Sequence, residues 1–358
     1  MASTDAHHGS HPRLPVGLGA IASCLAAAVL FGAAAPATKG LAQALDPQLL
    51  AALLYLGAAA AVLPWAWRDR RSVGRLPGRQ GLRLAGAIVV GGVVAPVLLL
   101  AGLARAPAAS VSLWLNFETV WTTVLAWLFF KEHVDRYAGA AVLLVLAAGA
   151  MLAWPERISG GWASALVIAA CLGWGLDNNL TATIDRLTPA QVTCAKGLAA
   201  GGLNLIVAAV RGAPMPQGPQ LLGALGIGAV AYGASLVLYI SGSQQLGASR
   251  AQLLFATAPF AGSVLSWLVL REPVLPMQLL AGVVMVGAWV LLIPAAHGHP
   301  HTHEPTEHTH SHRHDDAHHQ HEHPGLDPAV RHSHAHEHGP ATHSHPHVPD
   351  LHHRHGHR

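Results

Sequence analysis

Charge is what this sequence lacks most. Only 11% of its 358 residues are Asp, Glu, Lys or Arg, against 52% hydrophobic, where a soluble domain carries about 25% charged residues. That shortage excludes an ordinary soluble fold, and it deepens between residues 14 and 294, because most polar residues sit in the tail. Lysine is scarcer than arginine: Lys39, Lys131 and Lys196 stand against eighteen Arg. With abundant Ala and Gly, this points to a GC-rich bacterial genome. The three cysteines, Cys24, Cys171 and Cys194, all fall in apolar runs without a pairing pattern. They exclude a disulfide framework and read as small core residues. Histidine, plentiful overall, is nearly missing from the apolar part, where only His133 occurs near a helix end. No metal site is therefore visible along a path through that part. A nucleophile–base constellation, a phosphate-binding Gly loop and a nucleotide motif are all missing too. Nothing supports an enzyme, and transport must draw on gradients. The arginines of 68–83 are explained as a loop beside a membrane, which leaves no case for nucleic acid.

What the chain does have is apolar runs of about 20 residues, each long enough to cross a bilayer. The first 15 residues are polar. A signal peptide is excluded because the first run continues to about residue 37 and further runs follow. The runs predict helices over 16–37, 48–67, 84–104, 108–130 and 137–154. A second set is predicted over 162–181, 190–210, 220–241, 251–270 and 277–293. Asp46-Pro47 marks a turn, Pro155 closes the fifth helix, and Pro214, Pro216 and Pro219 mark the loop before the eighth. With the N-terminus inside, the inner loops collect Arg13, Arg68, Arg70, Arg71, Arg75, Arg79, Arg83, Lys131, Arg136, Arg186 and Arg250. The outer loops collect Lys39, Arg105, Arg157, Arg211 and Arg271. Eleven against five predicts that both termini are cytoplasmic. Five helices per half is an odd number, so the second half must be inverted relative to the first.

Much of 103–152 is written twice. Leu115-Asn116-Phe117-Glu118-Thr119-Val120-Trp121 leads through an apolar run to Lys131-Glu132. Leu253-Leu254-Phe255-Ala256-Thr257-Ala258-Pro259-Phe260 leads likewise to Arg271-Glu272. Setting Glu132 on Glu272 aligns Ala108 with Ala248, Leu113 with Leu253, Leu125 with Leu265 and Trp127 with Trp267. Phe31-Gly32 matches Trp174-Gly175, and Asp46-Pro47 matches Thr188-Pro189. A duplicated, inverted hydrophobic unit is the mark of many transporters, whose halves rock about a midplane site.

The stretches NFETVWTTVLAWLFFKE and APFAGSVLSWLVLREP, with the two five-helix halves, resemble the EamA group of the drug/metabolite transporter superfamily over about residues 18–293. The resemblance implies a ten-helix inner-membrane carrier of small organic solutes, often an exporter. It also implies an Arg early in the second helix of each repeat. That position is Leu54 in the first half, which departs from the pattern, and Lys196 in the second.

A charge in hydrocarbon costs at least ~2.5–3.5 kcal/mol, so the polar residues of the apolar runs are the candidate site. Glu118 sits mid-helix with Asn116, Thr119, Thr122 and Thr123 nearby, and 115, 118, 119 and 122 share a helical face. It reads as a cavity carboxylate for a cationic group or a proton, or as a helix–helix hydrogen bond. Asp177-Asn178-Asn179 is a polar cluster that lines the cavity or pairs with Lys196. Lys39 snorkels to the interface or reaches the cavity. Asp185 and Arg186 read as a loop pair, and Arg250 and Arg271 as interface anchors. Trp114, Trp121, Trp127, Trp174 and Trp267 pack between helices or stack on a substrate. Gly197 and Gly201 spell GxxxG, which allows close helix packing.

The tail from Ala295 holds twenty-three of the twenty-seven histidines and no apolar run, which predicts disorder. Its His-x-His pattern supplies His299, His301, His303, His308, His310, His312, His314, His332, His334, His336 and His338. Neutral imidazole suits Zn, Ni, Co or Cu. The expectation is therefore an all-α membrane protein of ten helices in two inverted repeats, 16–155 and 156–294, with a cytoplasmic segment 1–15 and a disordered metal-binding tail 295–358. It would be a gradient-driven carrier of a small metabolite or drug-like solute, needing no cofactor. The alternative is a Ni, Co or Zn transporter, or a membrane-anchored metal sensor or buffer. Its partners are the small-molecule substrate, the bilayer, metal ions at the tail and, left open, a second copy in a homodimer.

Overall fold

The computed structural model describes residues 16–68, 78–130, 136–159, 162–182, 184, 186–246, 254–292, 297–303, 306–312, 332–338 and 341–347. Lys131, Glu132, His133, Asp185, Arg250 and His314 lie outside the described residues. Each of the ten expected apolar runs is helical. The first is α1 (Val16–Gly32) and α2 (Ala34–Ala44), longer than expected by seven residues and interrupted at Ala33. Pro36 explains the interruption, since its ring conflicts with the carbonyl four residues back, that of Gly32. Then come α3 (Pro47–Arg68), α4 (Gly78–Ala87), a π-helical segment (Ile88–Val94) and α5 (Ala95–Arg105). The fourth run is split into α6 (Ala108–Trp114) and α7 (Phe117–Phe130), and α8 (Arg136–Ser159) follows. The second half runs α9 (Ala163–Ala182), α10 (Pro189–Val210), α11 (Gly218–Ile227), a second π-helical segment (Gly228–Ala234), α12 (Ser235–Leu246), α13 (Ala258–Val269) and α14 (Pro276–Leu292).

Five described stretches are long and apolar enough to cross a membrane: Leu18–Ala44, Pro47–Arg68, Gly78–Arg105, Pro189–Val210 and Gly218–Gly242. Gly139–Leu152, Ala258–Val269 and Pro276–Ala288 are shorter apolar helices. The outer surface is apolar, with Leu82, Phe129, Leu143, Ile206, Leu222 and Val283 exposed. The interior is built largely of alanine, with Ala20, Ala27, Ala51, Ala87, Ala95 and Ala108 buried. That is the inverse of a water-soluble fold and suits lipid outside and close helix contacts inside. The GxxxG pair supplies one such contact. A Cβ on Gly197 would meet the Tyr55 carbonyl oxygen at 2.9 Å, and one on Gly201 would meet Leu56 Cγ at 2.8 Å. Glycine there brings α10 against α3.

Contacts between helices come in matched sets. The second helices of the two halves, α3 and α10, pack on each other. So do the fifth helices, α8 and α14, and the fourth-run segment α6 packs on α13. The first helix of one half packs on the third of the other: α9 against α5, and α1 against α12. Two related repeats docked about a two-fold give this pattern. The π segments strengthen it, because Ile88–Val94 and Gly228–Ala234 are the same length and 140 residues apart, the spacing between Glu132 and Glu272.

In the tail's described stretches, β1 (His297–His303) lies antiparallel to β4 (Ala341–His347), and β2 (Thr306–His312) to β3 (His332–His338). The His-x-His repeat has the two-residue period of a strand, and the register sets His299 opposite His345 and His310 opposite His334. Two-stranded ribbons are marginal on their own in water.

Candidate functional site

The site begins with backbone. In the first π segment the Ala95 N–H bonds to Val90 O, five residues back, which frees the Gly91 carbonyl. Pro96 has no N–H, which frees the Gly92 carbonyl. Side chains from other helices take up both. Tyr55 Oη on α3 and Trp174 Nε1 on α9 donate to Gly91 O at 2.7 and 2.9 Å. Asn204 Nδ2 on α10 donates to Gly92 O at 3.0 Å, and Gln48 Nε2 donates to Asn204 Oδ1 at 2.7 Å. The second half handles its freed carbonyl locally: Ser235 Oγ donates to Ala231 O at 2.6 Å. Only the first π segment gathers donors from both halves. π-segments recur at functional sites.

Asp177 of α9 packs against Gly91 so closely that a Cβ there would overlap its carboxylate. Lys196 of α10 donates to Asp177 Oδ2 in an ion pair, the pairing raised by the sequence. Asp177 Oδ1 is buried without a partner among the described residues. Beside this pair, Asn178 Nδ2 donates to Glu118 Oε1 at 2.8 Å and to Thr122 Oγ1 at 3.3 Å. Asn179 Nδ2 donates to the Thr122 and Gly175 carbonyls at 3.1 and 2.8 Å, tying α9 to α7. Glu118 lies within electrostatic reach of Asp177 and Lys196. Glu118, Asp177, Asn178 and Lys196 thus gather around α9, which packs on α7 and, with α10, on the π segment.

Asn116 does not join Glu118. The chain turns at Leu115-Asn116, where Asn116 Nδ2 donates to Leu113 O at 2.9 Å and reaches Met285 Sδ at 3.4 Å. A polar side chain bonding its own backbone competes with the helix. The ninth run breaks the same way: Thr257 Oγ1 donates to Leu254 O at 2.7 Å. Near that second break a row of half-buried rings forms. Phe31 stacks edge-on to Tyr232 at 5.7 Å and tilted to Phe255 at 5.2 Å, and Tyr239 meets Phe255 at 5.0 Å.

The EamA-like transporter sequence profile matches residues 18–154 and again 161–293. The chain belongs to the EamA-like transporter family. It is 27% identical over 294 residues to an "Uncharacterized transporter" of Methanothermobacter thermautotrophicus, covering 75% of this chain and 84% of that one. A solved structure described as "Crystal structure of protein" shares the fold at a TM-score of 0.55 and 18% identity, over 77% of this chain and 96% of the other. Family membership and the apolar helices make this an integral membrane protein.

Lys39 of this EamA-like chain is half-buried in α2. Its Nζ donates to Leu103 O at 2.5 Å and Ala106 O at 2.6 Å. Glu272, aligned with Glu132 in the sequence repeat but given no role there, accepts from the Ala108 and Ala109 N–H groups at 2.7 and 2.9 Å. Arg271 is exposed with φ +53°, a left-handed turn residue. Tyr55, Gly91 and Asn204 were also missed. Pro96, in a run with adjacent Gly91 and Gly92, was the available signal.

Proposed function

We propose that this EamA-like protein is a gradient-driven carrier of a small metabolite or drug-like organic solute in the bacterial inner membrane, working by alternating access as an exporter. One observation carries the reading. A set of ionisable and amide side chains, Glu118, Asp177, Asn178 and Lys196, meets between the two repeats within apolar helices. Polar groups held at that cost mark substrate and ion pathways. The interrupted fourth and ninth runs beside them are the discontinuous helices that build such sites in repeat transporters. Ten crossings follow if the three shorter apolar helices, the fourth run (α6 and α7) and α9 also span. An even count puts both termini on one side, and the arginine count makes that side cytoplasmic.

Roles divide by charge. Lys196 and Asp177 neutralise each other. Among the described residues no basic side chain bonds to Glu118, so its carboxylate is the group that takes a cationic moiety or a proton. The unpartnered Asp177 Oδ1 is a second acceptor. The ring row of Phe31, Tyr232, Phe255 and Tyr239 supports an organic solute over a bare metal ion, because rings offer apolar contact and no metal ligand. The His-rich tail, with its His-on-His register, is an accessory that binds Zn, Ni, Co or Cu. A metal carrier is the second reading, and that register is what favours it.

Glu118→Gln tests the reading, since it keeps the Asn178 contact while removing charge and proton. Transport should fail or lose its pH dependence at unchanged expression. Unchanged transport across a pH series would remove Glu118 from the coupling role.

A further inference from the structure

Two charged side chains from opposite halves act on one seven-residue turn. Lys39, from α2, bonds the carbonyls of Leu103 and Ala106 at the end of α5. Glu272, just before α14, bonds the N–H groups of Ala108 and Ala109 at the start of α6 with one oxygen each. Each charge has the sign its helix end favours, a cation at the C-terminus and an anion at the N-terminus. Lys39 and Glu272 also act on each other electrostatically. Arg271, before Glu272, is the one described non-glycine residue with positive φ. That conformation is costly for an L side chain and persists where surroundings hold it.

Below the turn a polar seam continues the closure. Ser263 Oγ donates to Ala109 O at 3.0 Å, and Gln278 Nε2 donates to Ser110 Oγ at 3.0 Å. Gln278 Oε1 accepts from Trp267 Nε1 at 3.2 Å. The seam locks α6 to α13 and α14 and stops at the break at 115–116. Beyond the break α7 turns to pack on α9 and α8 instead. There Thr119 and Asn178 are exposed. One end of the bundle is thus closed by bonds across the repeats, and the polar site lies past the point where that closure ends.

We infer that Glu272 and Lys39 form the seal of one end of the transport path, and that releasing the 103–109 turn from them is the step that opens this end. Their action on the solute is indirect: they position the turn and do not line the site. The inference rests on the carrier reading, and in the orientation proposed above the sealed end faces outward.

The test uses the full-length protein in sealed membranes, labelled by a membrane-impermeant maleimide from either face. The reporter thiol comes from Ser112→Cys, whose hydroxyl is buried without a partner just inside the seal. Protein without the reporter gives the background of the three buried native thiols. Glu272→Ala and Lys39→Met should each raise labelling from the sealed face at least tenfold and leave the opposite face unchanged. An unchanged rate from the sealed face would overturn the inference. So would an equal rise from both faces, which would mean general loosening. Should Glu272→Ala fail to insert, Lys39→Met decides alone. Labelling reads closure without any solute. A seal that opens in a protein that moves nothing would therefore refute the carrier and keep the seal.

Discussion

Lys196→Met takes the cation out of the buried ion pair and keeps most of the apolar stem. Asp177 would then hold a carboxylate whose side chain is 5% exposed and whose second oxygen already lacks a partner. Removing one member of a buried pair costs about 3–5 kcal/mol, because the charge left behind is uncompensated. At about 1.4 kcal/mol per factor of ten, the folding equilibrium shifts by roughly a hundredfold to a few thousandfold. The double variant Asp177→Asn/Lys196→Met removes both charges. It should recover about 2 kcal/mol of that loss, the remainder being about 1–3 kcal/mol for a poorly satisfied amide. Unfolding in mixed detergent–SDS micelles, followed by tryptophan fluorescence, gives the four stabilities of a double-mutant cycle. A single variant within about 0.5 kcal/mol of the parent would refute the reasoning. So would a double variant no more stable than the single one.

Gly91→Ala would drive a methyl into the Asp177 carboxylate and should cost about 1–3 kcal/mol by overpacking in the same unfolding assay. Gly226→Ala is the comparison, since nothing lies within 4 Å of a Cβ there; equal effects at the two positions would remove Gly91 from the site. Deleting 297–358 should leave the helical part inserted and folded, read by membrane fractionation and a monodisperse elution peak. Loss of the protein from the membrane would contradict that.

The helices and their doubling were legible because lipid imposes long apolar runs and duplication repeats the same letters 140 residues apart. Glu118, Asp177, Asn178 and Lys196 were legible for the same reason: a polar letter in an apolar run stands out. What carries no letter was not legible. The Gly91 carbonyl becomes an acceptor only because the helix changes register there, and Tyr55 is a lone aromatic until that carbonyl is placed beside it. Asn116, two residues from Glu118 in sequence, is held apart from it by a break at which its own side chain bonds the Leu113 carbonyl. Lys39 and Glu272 bond distant backbone that neighbouring letters do not reveal. Their partners are 64 to 164 residues away.

The most direct test of the carrier reading compares the culture media of a strain lacking the protein with those of strains expressing the parent or Glu118→Gln at equal membrane levels. Small organic solutes are profiled without preselection, and cellular Ni, Co, Zn and Cu are measured in parallel. The account predicts at least one organic solute whose external level follows the parent and falls back in Glu118→Gln, with metal contents unmoved. A medium indifferent to the protein, with metal content following it instead, would contradict the account and put the metal reading in its place.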